Sequence, residues 1–191
     1  MRKDALRQLT LCAGAVLGCL LAALAHAAAP DSPKKEKTTM KLTSTAFAEG
    51  QPIPVKHTGQ GQDVSPPLKW TDVPPGAKSL ALICDDPDAP VGTWVHWVLY
   101  GLPPTVTELP EKVPATETLP NGACQGLNDF RRVGYGGPYP PPGPAHRYFF
   151  KLYVLDAELS LKPKATKQEL LRAMEGHILA QAQLMGTYRR K

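Results

Sequence analysis

The chain has 191 residues, 22 Lys and Arg against 17 Asp and Glu, a net charge of +5 with histidine neutral, and 42% hydrophobic residues. A balance this mild, with no basic stripe interleaved with aromatics, excludes nucleic acid as an expected partner. The length fits one domain with a substantial core.

Arg2, Lys3 and Arg7 precede an apolar run over residues 9–24, and Ala25-His26-Ala27 follows with small residues at both positions a signal peptidase inspects. This pattern predicts a signal peptide over residues 1–27 and a periplasmic or secreted destination. The run spans only 16 positions, short of the roughly 20 apolar residues that a membrane span needs. A lipoprotein alternative exists through Val16-Leu17-Gly18-Cys19, although the apolar stretch before the cysteine is short. Residues 28–38, which carry Lys34, Lys35 and Lys37, read as a disordered leader, and residues 39–191 as the folded domain. Removing residues 1–27 leaves 164 residues and a net charge of about +3. Cys84 and Cys124 then remain in an oxidising compartment, where they could pair. The alternative for Cys84, inside the apolar run 80–84, is a small buried hydrophobe.

The 21 prolines are scattered between short apolar runs, which argues for strands joined by shaped loops. Strands are expected over 40–47, 79–84, 93–100 and 147–155, the last two from their β-branched and aromatic content. Residues 101–145, punctuated by proline and glycine, read mostly as loop. Leu171, Met174, Ile178 and Ala182 recur at spacings of three and four. With Thr166 and Glu169 as a capping box and Gly186 as a stop, they predict a helix over roughly 167–185.

Polar groups interrupt apolar surroundings in three places: Asp85 to Pro90, His96, and His146-Arg147-Tyr148. Pro87 and Pro90 fix a turn after a strand and so hold the Asp86 and Asp88 carboxylates at the sheet edge. Strand alternation predicts that His96 shares a face with Trp94, Val98 and Tyr100, and His146 with Tyr148, Phe150 and Leu152. A carboxylate that accepts one imidazole N–H aims the other ring nitrogen at a ligand and favours the cationic ring, which suits an anion. Glycines 134, 136 and 137 would let backbone N–H groups approach a bound phosphate or carboxylate.

SPPLKW at 65–70, LALICDDPDAP at 80–90, WVHWVLYGLP at 94–103, QGLNDF at 125–130, GYGGPYPPPGPAHRYFFKLYVLD at 134–156 and HILAQAQLMGTY at 177–188 together resemble the phosphatidylethanolamine-binding family. The resemblance is to its bacterial YbhB/YbcL, Raf kinase inhibitor-like branch, and it covers residues 40–190. It implies a mainly β fold in which a central antiparallel sheet packs on a second, smaller sheet with a C-terminal helix nearby. It also implies a compact anion pocket formed by Asp86, Asp88, Trp94, His96, Gly137, Pro138, His146 and Tyr148. One departure is Tyr139, where the branch often has cysteine; it leaves open which loop amide faces the anion. The expected ligand is a small anion such as phosphate, a phosphoethanolamine-like head group or a phosphopeptide, bound without cofactor and without catalysis. Two other classes are carried beside this one. A periplasmic inhibitor or regulator would act on an unidentified protein partner, and a homodimer is left open. A metal-dependent hydrolase would use the two carboxylates and two histidines, but their spacing matches no recognised zinc motif.

Overall fold

The computed structural model describes residues 39–190; the expected signal peptide and leader lie outside the described residues. Strand β3 (Ser79–Asp86) is buried at all eight positions because it occupies the middle of a five-stranded sheet covered on both faces. β4 (Trp94–Leu102) and β7 (His146–Leu155) flank it, with β6 (Cys124–Gln125) and β8 (Ile178–Tyr188) at the two edges, in the order β6-β4-β3-β7-β8. Every neighbouring pair is antiparallel.

Alternation along β3 sends Leu80, Leu82 and Cys84 to one layer and Ala81 and Ile83 to the other. The first layer is closed by a three-stranded sheet of β1 (Lys41–Thr43), β2 (Leu68–Thr71) and β5 (Glu108–Leu109), which contributes Leu42, Leu68, Trp70 and Leu109. The opposite layer is closed by α1 (Lys167–Met174), whose Leu170 and Met174 pack with Ala81, Ile83, Val98 and Tyr100. The expected mainly β sandwich is therefore present. Its first strand is shorter than the predicted 40–47, because the Ser44 hydroxyl donates to the Pro67 carbonyl at 2.6 Å and accepts from the Ala46 amide at 3.1 Å, turning the chain.

The helix begins as predicted, with Thr166 and Glu169 forming a reciprocal capping box, but it ends at Met174. Gly176 turns the chain at φ 79°, and the remainder of the predicted helix is β8. β8 pairs with β7 from Leu155↔Ile178 to His146↔Tyr188. Ala180, Ala182, Leu184 and Tyr188 contribute to the core between the sheets. Gly186 is a contact point and not a helix stop: a Cβ there would lie 2.6 Å from Ile53 Cγ1 and 2.7 Å from Phe47 Cε2.

Residues 101–145 are mostly loop, held down by one buried amide. Gln125 Nε2 donates to the Pro114 and Thr116 carbonyls at 2.7 and 2.8 Å, and its Oε1 accepts from Trp97 Nε1 at 2.7 Å. Among the described residues, Cys84 and Cys124 are both free. They do not pair because Cys84 belongs to the layer between the sheets, whereas Cys124 packs on the layer beneath α1.

Candidate binding site

Antiparallel order brings the C-terminal end of β3 beside the N-terminal ends of β4 and β7, so residues distant in sequence meet at one end of the sheet. Asp86 comes from β3, Trp94 and His96 from β4, and His146 and Tyr148 from β7; all five line one cavity of about 190 Å³.

His96 owes its place to a β-bulge. Cys84 pairs with Trp97 and Asp85 with Val95, which leaves His96 as the extra residue of β4. The bulge breaks the alternation expected from sequence: Val98 and Tyr100 pack on the layer beneath α1, while His96 turns toward Tyr148 and Phe130. Its ring centroid lies 5.1 Å from that of Tyr148 and 5.3 Å from that of Phe130, both edge-on. On β7 the regular pattern holds, and Tyr148, Phe150 and Leu152 lie on one buried face behind His146.

The two imidazoles are oriented differently. His146 Nδ1–H donates to Asp86 Oδ2 at 2.8 Å, and Asp86 Oδ1 accepts from the Asp88 amide at 2.8 Å, which closes the turn after β3. His96 Nδ1 lies 2.5 Å from the Gly136 carbonyl oxygen, which can only accept, so the proton is on Nδ1. The carboxylate partner expected for His96 is thus a backbone carbonyl. Burial lowers the His96 pKa, outweighing the opposing effects of the Gly136 bond and of Asp86, Asp129 and Asp63. Burial thus disfavours the expected cationic ring; in the neutral ring with its proton on Nδ1, the Nε2 lone pair has no partner among the described residues.

The Tyr148 hydroxyl is buried and has no hydrogen-bond partner among the described residues. Burial first, and second the Asp86 carboxylate, which lies close to the hydroxyl but outside hydrogen-bond geometry, raise its pKa, so the phenol keeps its proton and remains a donor. Such an orphan donor is rare in a protein interior.

Among the described residues, no group of three or more His, Cys, Asp or Glu could hold a metal ion. The mouth is apolar, and it is formed by Ala89, Pro90, Val91, Phe130, Tyr139, Pro140 and Pro141. Val91 is 79% exposed, Tyr139 53% and Phe130 39%, so much of the large apolar surface left in water surrounds this one opening.

The family model for phosphatidylethanolamine-binding proteins matches residues 43–189. This chain belongs to the phosphatidylethanolamine-binding protein family. A UPF0098 protein of Methanothermobacter thermautotrophicus is 54% identical over 151 residues, covering 79% of this chain and 99% of that protein. A UPF0098 protein of Aquifex aeolicus is 49% identical over 153 residues, covering 79% and 89%. Among solved structures, a putative phosphatidylethanolamine-binding protein homologue from Chlamydia trachomatis superposes with a TM-score of 0.73 at 47% identity, covering 80% of this chain and 99% of its own. Escherichia coli YbcL, described as a member of the mammalian family, gives 0.74 at 34% identity, covering 81% and 100%.

Three residues expected at the pocket of this family member serve elsewhere. Asp88 accepts from Arg147 Nε and amide at 2.9 Å and from its terminal nitrogen at 2.7 Å, a bidentate pair on the outer face of the strand. The Arg147 hydrogen bonds hold the Asp88 carboxyl down at about 2. The Gly137 amide donates to Asp63 Oδ1, so it faces a carboxylate and not an anion site. A Cβ at Gly137 would lie 2.6 Å from the His57 carbonyl oxygen, which is why glycine is needed there. The Pro138 carbonyl accepts from the Gly59 amide at 2.9 Å, and the lining passes to the next three residues, Tyr139 to Pro141.

Phe130 and Asp63 were not legible as site residues. Phe130 lies edge-on to both Trp94 and His96, on a loop whose Asp129 accepts from the Val95 amide at 2.7 Å. Asp63 also accepts from Arg132 at 2.6 Å and so fixes the loop that carries Gly136. The run QGLNDF was read only as part of the family resemblance, and nothing around Asp63 in the sequence pointed to it.

Proposed function

We propose that this protein is an exported binding protein whose cavity takes small phosphate- or carboxylate-bearing molecules, lipid head groups among them, without catalysis. The observation that carries the reading is the buried, unpartnered Tyr148 hydroxyl in a cavity shared with two imidazoles held by their Nδ1 atoms. Preset donors and acceptors without partners are what a ligand head group would satisfy. The name of the matching family model, phosphatidylethanolamine-binding protein, points to the same ligand chemistry.

Two placements favour binding over bond breaking. Ser65 is buried and its hydroxyl accepts from the Val113 amide at 2.9 Å, away from the cavity. The Cys84 thiol is raised well above its ordinary pKa by burial, then by Asp85 and Asp86, so it is not a ready nucleophile. Export rests on the basic residues, apolar run and Ala25-His26-Ala27 of the first 27 positions.

Gentle purification from the native host, followed by denaturation and mass spectrometry of released small molecules, tests the reading. A phosphate- or carboxylate-bearing compound at near-equimolar yield supports it, and N-terminal sequencing of the same sample should begin at or near Ala28. Calorimetry on the protein and on His146→Ala complements this: loss of the ring nitrogen that Asp86 holds toward the cavity should weaken phosphoethanolamine binding by about tenfold or more. Equal binding by the two proteins would overturn the site assignment.

A further inference from the structure

Three cations on the elements that build the cavity are tied to carboxylates. Arg147 is forked onto Asp88, Arg132 is paired with Asp63 through one nitrogen, and Lys151 is paired with Asp85. Arg190 stacks 4.6 Å over the ring of Tyr139, one of the residues at the mouth. No Arg or Lys lines the cavity among the described residues, whereas one carboxylate, Asp86, does. A fully ionised dianion would therefore meet a carboxylate and no fixed positive charge.

The hydrogen-bonding groups point the same way. His96 gives its one N–H to the Gly136 carbonyl, so the neutral ring offers the cavity an acceptor and no donor. Tyr148 offers a donor. His146 gives its Nδ1–H to Asp86 and keeps Nε2 for the cavity. The charged groups packed around these rings are Asp86, which holds His146, Asp63 and Asp129, which act on His96, and Asp88, which is neutralised by Arg147.

We propose that the cavity selects a singly protonated oxyanion, the monoanion of a phosphomonoester, whose P–O–H donates to His96 Nε2 while another of its oxygens accepts from the Tyr148 hydroxyl. This rests on the anion-binding reading above and sharpens it, because an anion of equal charge and shape without the proton is rejected. Such an anion would place an oxygen lone pair against the His96 lone pair and leave the histidine acceptor buried without a donor.

The test compares methyl phosphate, whose second proton leaves near pH 6, with methyl sulfate, a monoanion of the same shape that carries no proton at neutral pH. Calorimetry with both ligands at about pH 5.5, 6.5 and 8 on the wild-type protein should show methyl phosphate tightening by about tenfold or more on acidification, with methyl sulfate at least about tenfold weaker at the lowest pH and nearly insensitive to pH. Binding of both ligands to the same extent, strengthening together on acidification, would mean that a histidine takes up the proton; it would overturn the inference while the anion-binding reading stands. Tighter binding of methyl sulfate would overturn it equally. Binding of neither ligand would overturn both. His96→Phe keeps the ring contacts and removes the acceptor, so it should reduce methyl phosphate to the level of methyl sulfate; near- and far-ultraviolet circular dichroism confirms its fold, and the wild-type comparison decides the matter without it.

Discussion

His146 and Asp86 are almost wholly buried and share a hydrogen bond of 2.8 Å across the β3 and β7 strand ends, and Asp86 spends its second oxygen on the turn that follows it. One carboxylate therefore fixes both an imidazole and a loop. Replacing Asp86 by alanine strands the His146 N–H and the Asp88 amide together. The expected loss is about 1.5–3 kcal/mol for each bond to a charged acceptor, before relaxation. Urea unfolding of Asp86→Ala should show a clear drop in midpoint, and a change below about 0.5 kcal/mol would mean that the pair is not structurally engaged.

The Asp88 carboxyl is depressed to about 2 by its Arg147 hydrogen bonds. Its folded pKa lies below the unfolded value of about 3.9, so its contribution to stability is present above pH 4 or so and fades as the pH falls toward 2. Replacing Arg147 by alanine should return the Asp88 titration toward the ordinary carboxylate range in a carbon-detected NMR experiment. The stability gap between the two proteins should also narrow over that same acidic window. An unchanged Asp88 midpoint in the variant would show that the fork is not formed in solution.

His96 is expected to be the Nδ1–H tautomer with a titration midpoint below the usual imidazole value of about 6.5, since burial outweighs the favourable Gly136 bond. Long-range nitrogen–proton NMR correlations report both properties. An Nε2–H tautomer, or a midpoint at or above the ordinary value, would contradict the geometry.

Cys84 and Cys124 should behave as two unlike thiols. Cys84 is buried with a raised pKa, while Cys124 is only partly buried on a short edge strand. Alkylation of native protein should label Cys124 first and Cys84 only on unfolding, with no mass difference between reduced and unreduced samples. Rapid labelling of Cys84 would be incompatible with its place between the sheets.

At Gly137 a methyl group would collide with backbone, 2.6 Å from the His57 carbonyl oxygen and 2.7 Å from Thr58 Cα. Backbone cannot swing aside as a side chain does, so Gly137→Ala should destabilise by about 1–3 kcal/mol in urea unfolding. It should also weaken ligand binding, because the same loop carries the Gly136 carbonyl that holds His96. Wild-type stability in this variant would mean that the loop packs differently.

The sandwich was legible where burial leaves a simple signature. β3 reads as an unbroken apolar run because both faces are covered, and β7 is legible from its β-branched and aromatic content. β8 was misread because positions 178 and 182 are four apart, a spacing that a strand and a helix both satisfy, and Ala, Gln, Leu and Met favour helices locally. Pairing with β7 along its whole length overrides that preference. At the site, Asp86, Trp94, His96, His146 and Tyr148 all line one cavity. The faces of Val98 and Tyr100 were not legible, since alternation carries no record of a bulge. Nor was the role of Asp63, whose contacts with Gly137 and Arg132 close only in three dimensions.

The extra residue in β4 separates two requirements that a regular strand would tie together. With His96 outside the pairing count, Trp97 and Leu99 stay in phase with the layer between the sheets, and Val95 and Val98 stay in phase with the layer under α1. The side chain at position 96 is then free to change chemistry without shifting the register of any neighbour. Deleting that position, by contrast, would leave an intact sheet with no acceptor at its end. Recognition and folding are thereby written on different residues of the same strand, and ligand preference can drift while the architecture stays still.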